Sequence, residues 1–169
     1  MNTSSHNGVI LIGMPGAGKS TLGVQLAKEL GFDFLDTDVS IQVHTGQTLQ
    51  DIIDTTDYLN LRRIEEAVLL STDCHGKVVA TGGSVVYSDA GMNHLKDQGT
   101  IVFLDTPLDE LRRRIHNYDT RGIARRPEQT LEDVFEERQE LYKQYAQITI
   151  DCSDKDQLSV LAAIIAQLG

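Results

Sequence analysis

Apolar residues fall along this chain in short unbroken runs separated by stretches with helical spacing. The run "GVILIG", residues 8 to 13, is apolar without alternation, as expected of a strand covered on both faces. A helix is predicted from Gly18, with Leu22, Leu26 and Leu30 on one stripe and Ala27 beside it, stopped by Gly31. "FDFLD" reads as a second strand, and residues 40 to 72 as helix in pieces. There "TLQD" at 48 to 51 has the form of a capping box, and Leu61, Ile64 and Val68 share an inner face. "KVVATGG" and "TIVFLD" predict the third and fourth strands, and "QITID" the fifth. "TPLDELRRRI" opens a helix with Thr106 as its N-cap and Pro107 in its first turn. A last helix is predicted to carry Leu158, Leu161, Ile165 and Leu168 on one stripe.

Such alternation predicts an α/β protein of three layers, helices covering both faces of a five-stranded parallel sheet. In these sheets ligands sit beyond the carboxyl ends of the strands. The residues with chemistry fall there: Gly16 to Ser20 after the first strand, Asp36 and Asp38 after the second, Gly82 and Gly83 after the third.

With 169 residues, the chain fits one domain, 1–169. No apolar run approaches the roughly 18–20 residues of a membrane span, so no membrane partner is expected. "MNTSSHNG" lacks the apolar core of a secretory signal and reads as a short frayed arm, which makes a cytoplasmic protein the expectation. The two cysteines, Cys74 and Cys152, are then reduced thiols with no assigned role. A net charge of −10 argues against a nucleic-acid partner. Six arginines nevertheless crowd into residues 112 to 126, either a solvated helix end and linker or a place where small anions gather.

Gly13 to Ser20 fit G-x-x-x-x-G-K-S, the phosphate-binding loop. Its glycines aim successive backbone N–H groups into one concavity, and the following helix adds its positive N-terminal end. Lys19 can reach the outer phosphates and the Ser20 hydroxyl can ligate Mg²⁺. GTPases, ATPase motors and small-molecule kinases all use this loop. The sequence has no N-K-x-D and no apolar strand ending in Asp-Glu, and it is too short for a motor's lever, so transfer to a small acceptor remains.

Asp36 and Asp38 frame a turn where one carboxylate can face Mg²⁺ and the other a substrate hydroxyl. In "LRRIEE", Arg62 and Glu65 stand at i,i+3 and can pair; alone the segment reads as a solvated helix face. "TGGS" at 81 to 84 admits either a close ligand or a plain turn, and "ERQELY" places Arg138 in a charged helix.

In order, G-x-x-x-x-G-K-S, D-T-D, L-R-R-I-E, T-G-G, the arginine-rich segment and E-R-x-x-L-Y resemble the shikimate kinase family over essentially the whole chain. The resemblance implies the P-loop kinase fold, ATP as donor, Mg²⁺, and transfer to the 3-hydroxyl of shikimate. It further implies a nucleotide site at Gly16, Ala17, Gly18, Lys19, Ser20, Thr21, Arg114 and Arg121, with Arg114 near the adenine and Arg121 closing over the transferring group. Ser20 and Asp36 would organise the metal. Asp38, Arg62, Gly82, Gly83 and Arg138 would hold the acceptor, the two arginines gripping its carboxylate. Lys19, Asp38 and Arg121 would be the catalytic set, with an acceptor region about 37–63 and a lid about 116–130. A monomer is expected.

Two departures bear on acceptor identity rather than on the reaction. Ser84 stands where the family has a third glycine, and "RGIA" from Arg121 replaces R-P-L-L. Homoserine and gluconate kinases, and a non-catalytic nucleotide-binding relative, are the alternatives. Homoserine's ammonium group would need an acidic or carbonyl partner beyond Asp38, and the sequence points to none. With Gly122 and few large apolar residues, the lid is expected to be mobile when empty, and Gly122→Pro to tighten binding if the backbone at 122 suits proline.

Overall fold

The computed structural model describes residues 7–169; the expected N-terminal arm lies almost wholly outside them. Five strands, β1 (Gly8–Ile12), β2 (Asp33–Asp36), β3 (Lys77–Ala80), β4 (Gly99–Asp105) and β5 (Ile148–Asp151), form one sheet in the order β2-β3-β1-β4-β5. Every pairing is parallel. Among the described residues eight α-helices accompany them: α1 (Lys19–Leu30), α2 (Thr37–Thr45), α3 (Leu49–Thr55), α4 (Tyr58–Leu70), α5 (Asp89–Gln98), α6 (Leu108–Arg114), α7 (Leu131–Tyr145) and α8 (Gln157–Leu168).

The lack of alternation in β1 has a direct consequence. Successive side chains leave a strand on opposite faces, so Val9 and Leu11 enter one core and Ile10 and Ile12 the other. The first core is closed by Leu22 and Leu26 of α1 with Val160, Leu161 and Ile164 of α8. The second takes Leu69 of α4, Met92 and Leu95 of α5, Leu111 of α6, and Val134 and Tyr142 of α7. The three layers expected of the sequence are present.

A third, smaller core lies apart from the sheet. Ile41, Ile52, Leu61 and Val68 from α2, α3 and α4 gather there with Ala124, a residue of the lid segment. This cluster ties α2, α3 and α4 to the segment around Ala124.

Several local expectations hold. Thr48 and Asp51 form the capping box, and Gly31 ends α1 in the left-handed conformation. Others need correction. Thr106 does not cap α6, which starts at Leu108 behind Pro107; its hydroxyl is instead buried without a hydrogen-bond partner. The buried stripe of α8 is turned from the expected one: Val160, Leu161 and Ile164 face the sheet, while Leu158 is 72% exposed. Helix α2 begins at Thr37 rather than near 40, because the Asp36 side chain accepts from the Asp38 and Val39 N–H groups and caps it. Helix α5 went unpredicted; the polar run "DAGMNHLKDQ" offers only Met92 and Leu95 as large apolar side chains, both buried.

Candidate active site

At the carboxyl end of β1 the chain leaves the sheet as a loop with left-handed Gly16 (φ 86°) and Gly18 (φ 93°), then enters α1 at Lys19. A cavity of about 330 Å³ opens beside it. Gly16, Gly18, Lys19, Ser20, Thr21, Arg114 and Arg121 line it together with Asp38, Gly82, Gly83 and Arg138. Ala17 lines a second hollow of about 290 Å³, which shares Gly18, Thr21 and Arg114 with the first and is flanked by Lys155 and Gln157. Asp36 and Arg62 stand just off the wall of the main cavity, each linked to it through a neighbour.

The buried Lys19 Nζ donates to the Gly13 and Met14 carbonyls, at 2.7 and 2.8 Å. Burial lowers its pKa to about 8, the positive Arg138 and Arg121 add to the shift, and Asp38 opposes it. Ser20 Oγ donates to Asp36 Oδ2 at 2.6 Å, while Asp36 Oδ1 accepts from the Asp38 N–H at 2.9 Å. A hydroxyl and one carboxylate suit Mg²⁺, a hard cation that takes few protein ligands and completes its shell with phosphates and water. Among the described residues no group of three or more His, Cys, Asp or Glu is placed to hold a metal ion. Arg114 crosses from α6 to donate to the Gly16 carbonyl at 3.0 Å and pairs with Glu110.

Asp38, at the start of α2, is half-buried, and its carboxyl is raised to about 6 by burial and then by the charge of Asp36. Lys19 and Arg121 pull it back. The glycine pair after β3 is pinned from two sides. The Gly82 N–H donates to Thr37 Oγ1 at 3.2 Å, and Tyr142 donates to the Gly83 carbonyl at 2.6 Å. A Cβ at residue 82 would lie 2.8 Å from Asp38 Oδ1, and one at 83 would lie 2.7 Å from Arg138 Nη1. Glycine is therefore needed at both to keep those side chains in place.

Arg62 and Arg138, from α4 and α7, converge. Both donate through Nη2 to one acceptor, the Ala124 carbonyl, at 3.1 and 3.0 Å. Tyr87 lies under both guanidinium groups, 3.7 Å from Arg62 and 5.5 Å from Arg138, ring centroid to Cζ. The Arg62–Glu65 pair that helix spacing allows does not form, each residue taking another partner. Glu65 accepts from Ser84 Oγ at 2.5 Å.

Glu65 lines the main cavity and was missed as a site residue. It is 4% exposed, and burial raises its carboxyl to about 7, with Ser84 and the two arginines opposing. Its sequence position carried a signal. Glu65 falls between Leu61 and Val68 on the inward stripe of α4, where a charge has a reason to be. Tyr87 gave no such sign.

The lid segment is better anchored than its composition promised. Ile123 and Ala124 are buried, and the Gly122 N–H donates to Gln50 Oε1 of α3 at 3.0 Å. Gly122 sits at φ +80°, with a would-be Cβ 2.5 Å from that of Leu49. Neither condition for a favourable proline at 122 is met. Arg125 is an internal brace, stacked on Tyr118 at 4.4 Å and donating to three lid carbonyls. Arg121 is solvent-exposed but lines the cavity, where its charge acts on Lys19 and Asp38.

A phosphate-binding loop on the central strand of a parallel sheet, facing a carboxylate and two converging arginines, defines a P-loop phosphotransferase acting on a small anionic acceptor. The shikimate kinase family model matches residues 15–169. The shikimate kinase of Alteromonas mediterranea is 37% identical over 164 residues, 95% of this chain and 96% of that one. That of Vibrio cholerae is 34% identical over 163 residues, 95% and 94% of the two chains. Among solved structures, Acinetobacter baumannii shikimate kinase in complex with shikimate superposes with a TM-score of 0.87 at 30% identity, covering 98% of this chain and 94% of that one. The Aquifex aeolicus enzyme gives 0.79 at 29% identity, with 95% of each chain covered. This chain belongs to the shikimate kinase family.

Proposed function

We propose that the protein transfers the γ-phosphoryl group of ATP to the 3-hydroxyl of shikimate, as a cytoplasmic monomer that uses Mg²⁺. One observation carries the reading: a single cavity has the phosphate-loop Lys19, the carboxylate of Asp38 and the guanidinium of Arg138 on its walls. The acceptor of such a site needs a hydroxyl, an anionic group and a size to match, and shikimate has all three. Among the described residues no helix is long and apolar enough to cross a membrane.

In this reading the loop N–H groups and Lys19 bind the donor's phosphates, and Arg114 flanks the base. Ser20 and Asp36 hold Mg²⁺, which neutralises phosphate charge. Arg62 and Arg138 form charge-assisted bonds to the acceptor carboxylate and so fix the ring's orientation. Asp38 accepts the hydroxyl proton or aligns the oxygen for in-line attack. Arg121 supplies positive charge to the phosphoryl oxygens as they separate from the leaving group.

A coupled ADP-release assay across shikimate, homoserine, gluconate and nucleoside monophosphates tests the assignment. Shikimate is expected to turn over fastest. Homoserine stays among the acceptors because Glu65 is an acidic partner beyond Asp38. Asp38→Asn is expected to keep ATP binding and lose roughly 10²-fold in kcat; near-normal turnover would reduce Asp38 to a helix-start residue.

A further inference from the structure

The two arginines of the proposed acceptor site come from different helices and share an aromatic neighbour that lies in none of the motifs. Tyr87 closes a short 3₁₀ turn, Val85–Tyr87, just after the glycine pair that follows β3. Val85 and Val86 are buried in the core on that side of the sheet and anchor the turn. The half-buried Tyr87 ring has its centroid 3.7 Å from Arg62 Cζ and 5.5 Å from Arg138 Cζ. Its hydroxyl donates to Glu137 Oε1 at 2.7 Å, and Glu137 Oε2 accepts from Gln129 Nε2 at 2.7 Å. The ring is thereby tied to α7, next to Arg138. Tyr58, one turn before Arg62 on α4, lies 5.0 Å from the Arg62 guanidinium. Tyr87 is the ring that both arginines meet.

Two guanidinium groups that converge on one carbonyl repel each other. Each also has several side-chain torsions to freeze before it can hold an anion. An aromatic ring answers both costs. Its quadrupole attracts the cations, and a contact through the ring face leaves the in-plane N–H donors unspent. The Nε atoms of Arg62 and Arg138 are buried without a hydrogen-bond partner, so donors remain for a ligand to take. We propose that Tyr87 is a positioning residue, which holds Arg62 and Arg138 together so that the acceptor carboxylate meets a preformed pair of cations. The proposal deepens the shikimate kinase reading and rests on it. Removing the ring leaves both charges in place. The acceptor must then impose the order that the ring supplied, which weakens its binding and leaves the transfer step unaltered.

Tyr87→Leu and Tyr87→Met remove the π face but keep apolar bulk, and either decides if the other folds poorly. Tyr87→Phe keeps the face and drops only the bond to Glu137. In the ADP-release assay the first two are expected to raise KM for shikimate roughly 5- to 20-fold, the scale of a partly desolvated cation–π contact. Their kcat and KM for ATP are expected to stay within about twofold of wild type. Tyr87→Phe is expected to raise the shikimate KM by about threefold or less, a rescue that depends on the ring face. The penalty is also expected to depend on Arg62. With Arg62→Ala in place, adding Tyr87→Leu is expected to raise KM further by about threefold or less. A KM within about twofold of wild type for both Tyr87→Leu and Tyr87→Met overturns the proposal. So does a Tyr87→Phe variant as impaired as those two, or an undiminished penalty beside Arg62→Ala. A wild-type protein that releases no ADP with shikimate overturns the functional reading itself, before any variant is compared.

Discussion

The two ends of the site are built by different means. At the proposed phosphate end, one contiguous loop from Gly13 to Thr21 forms the cradle, a motif whose binding rests mainly on backbone N–H groups. At the proposed acceptor end, single groups arrive from several elements, and Arg62, Arg138 and Glu65 are each held by a partner on another element, the Ala124 carbonyl for the two arginines and Ser84 for Glu65. A backbone site is specified by a short motif and tolerates little change of plan. A side-chain site depends on tertiary packing and leaves no such contiguous motif.

The largest expected effect lies where the two ends meet. Arg121→Ala is expected to lower kcat by roughly 10³-fold while ATP affinity changes only a few-fold, because its charge is needed most as the phosphoryl group transfers. Pre-steady-state and equilibrium nucleotide binding, measured side by side, would show the split. Equal losses in both would return Arg121 to the ordinary phosphate end.

Next comes a stability effect confined to the acceptor end. The Glu65 carboxyl is raised from 4.5 to about 7 by burial, so the folded protein keeps a proton that the unfolded chain releases. The stabilisation is full below pH 4.5 and lost as pH rises through about 7, a swing on the order of 3 kcal/mol. Glu65→Gln removes this titration. Its stability relative to wild type is expected to rise across that window in calorimetric melts, and parallel curves would show that Glu65 is not the group responsible.

The smallest effects test the lid's tie to α3. Gly122→Pro breaks the bond to Gln50 and demands a φ of the opposite sign, so productive binding is expected to weaken about tenfold rather than tighten. Gln50→Ala removes only the acceptor of that bond, and a rise in KM of about fivefold or less is expected. Steady-state kinetics with both substrates would rank the two.

How much of this was legible in the sequence follows the same division. The phosphate loop, the sheet and the family could be read directly, because local pattern dictates them: an unbroken apolar strand, glycines at fixed offsets, then a lysine. Asp36 and Asp38 were placed after the right strand, though their turn proved to be a helix start. The convergence of Arg62 and Arg138 was expected from the resemblance, but the shared Ala124 carbonyl and the Tyr87 platform were not, since they depend on where α4, α7 and the lid come to rest. The Arg62–Glu65 spacing only allowed a pair, and helix spacing is blind to a third residue, Ser84, that arrives from another element and takes Glu65. The anchoring contacts of the segment proposed as the lid were hidden for a like reason. Its few apolar residues looked too small to anchor it, yet Ile123 and Ala124 are buried, Ala124 in a core supplied by α2, α3 and α4.

In the proposed reading the carbonyl of Ala124 belongs to the lid, while the two guanidinium groups bound to it belong to the acceptor pocket. Lid posture and acceptor affinity therefore draw on the same donors and cannot be independent variables. Linkage makes the coupling reciprocal: whatever factor a fixed lid contributes to acceptor affinity, the acceptor returns to the lid's own equilibrium. Enclosure of the reaction is then set partly by the molecule to be phosphorylated, before the donor's charge is engaged.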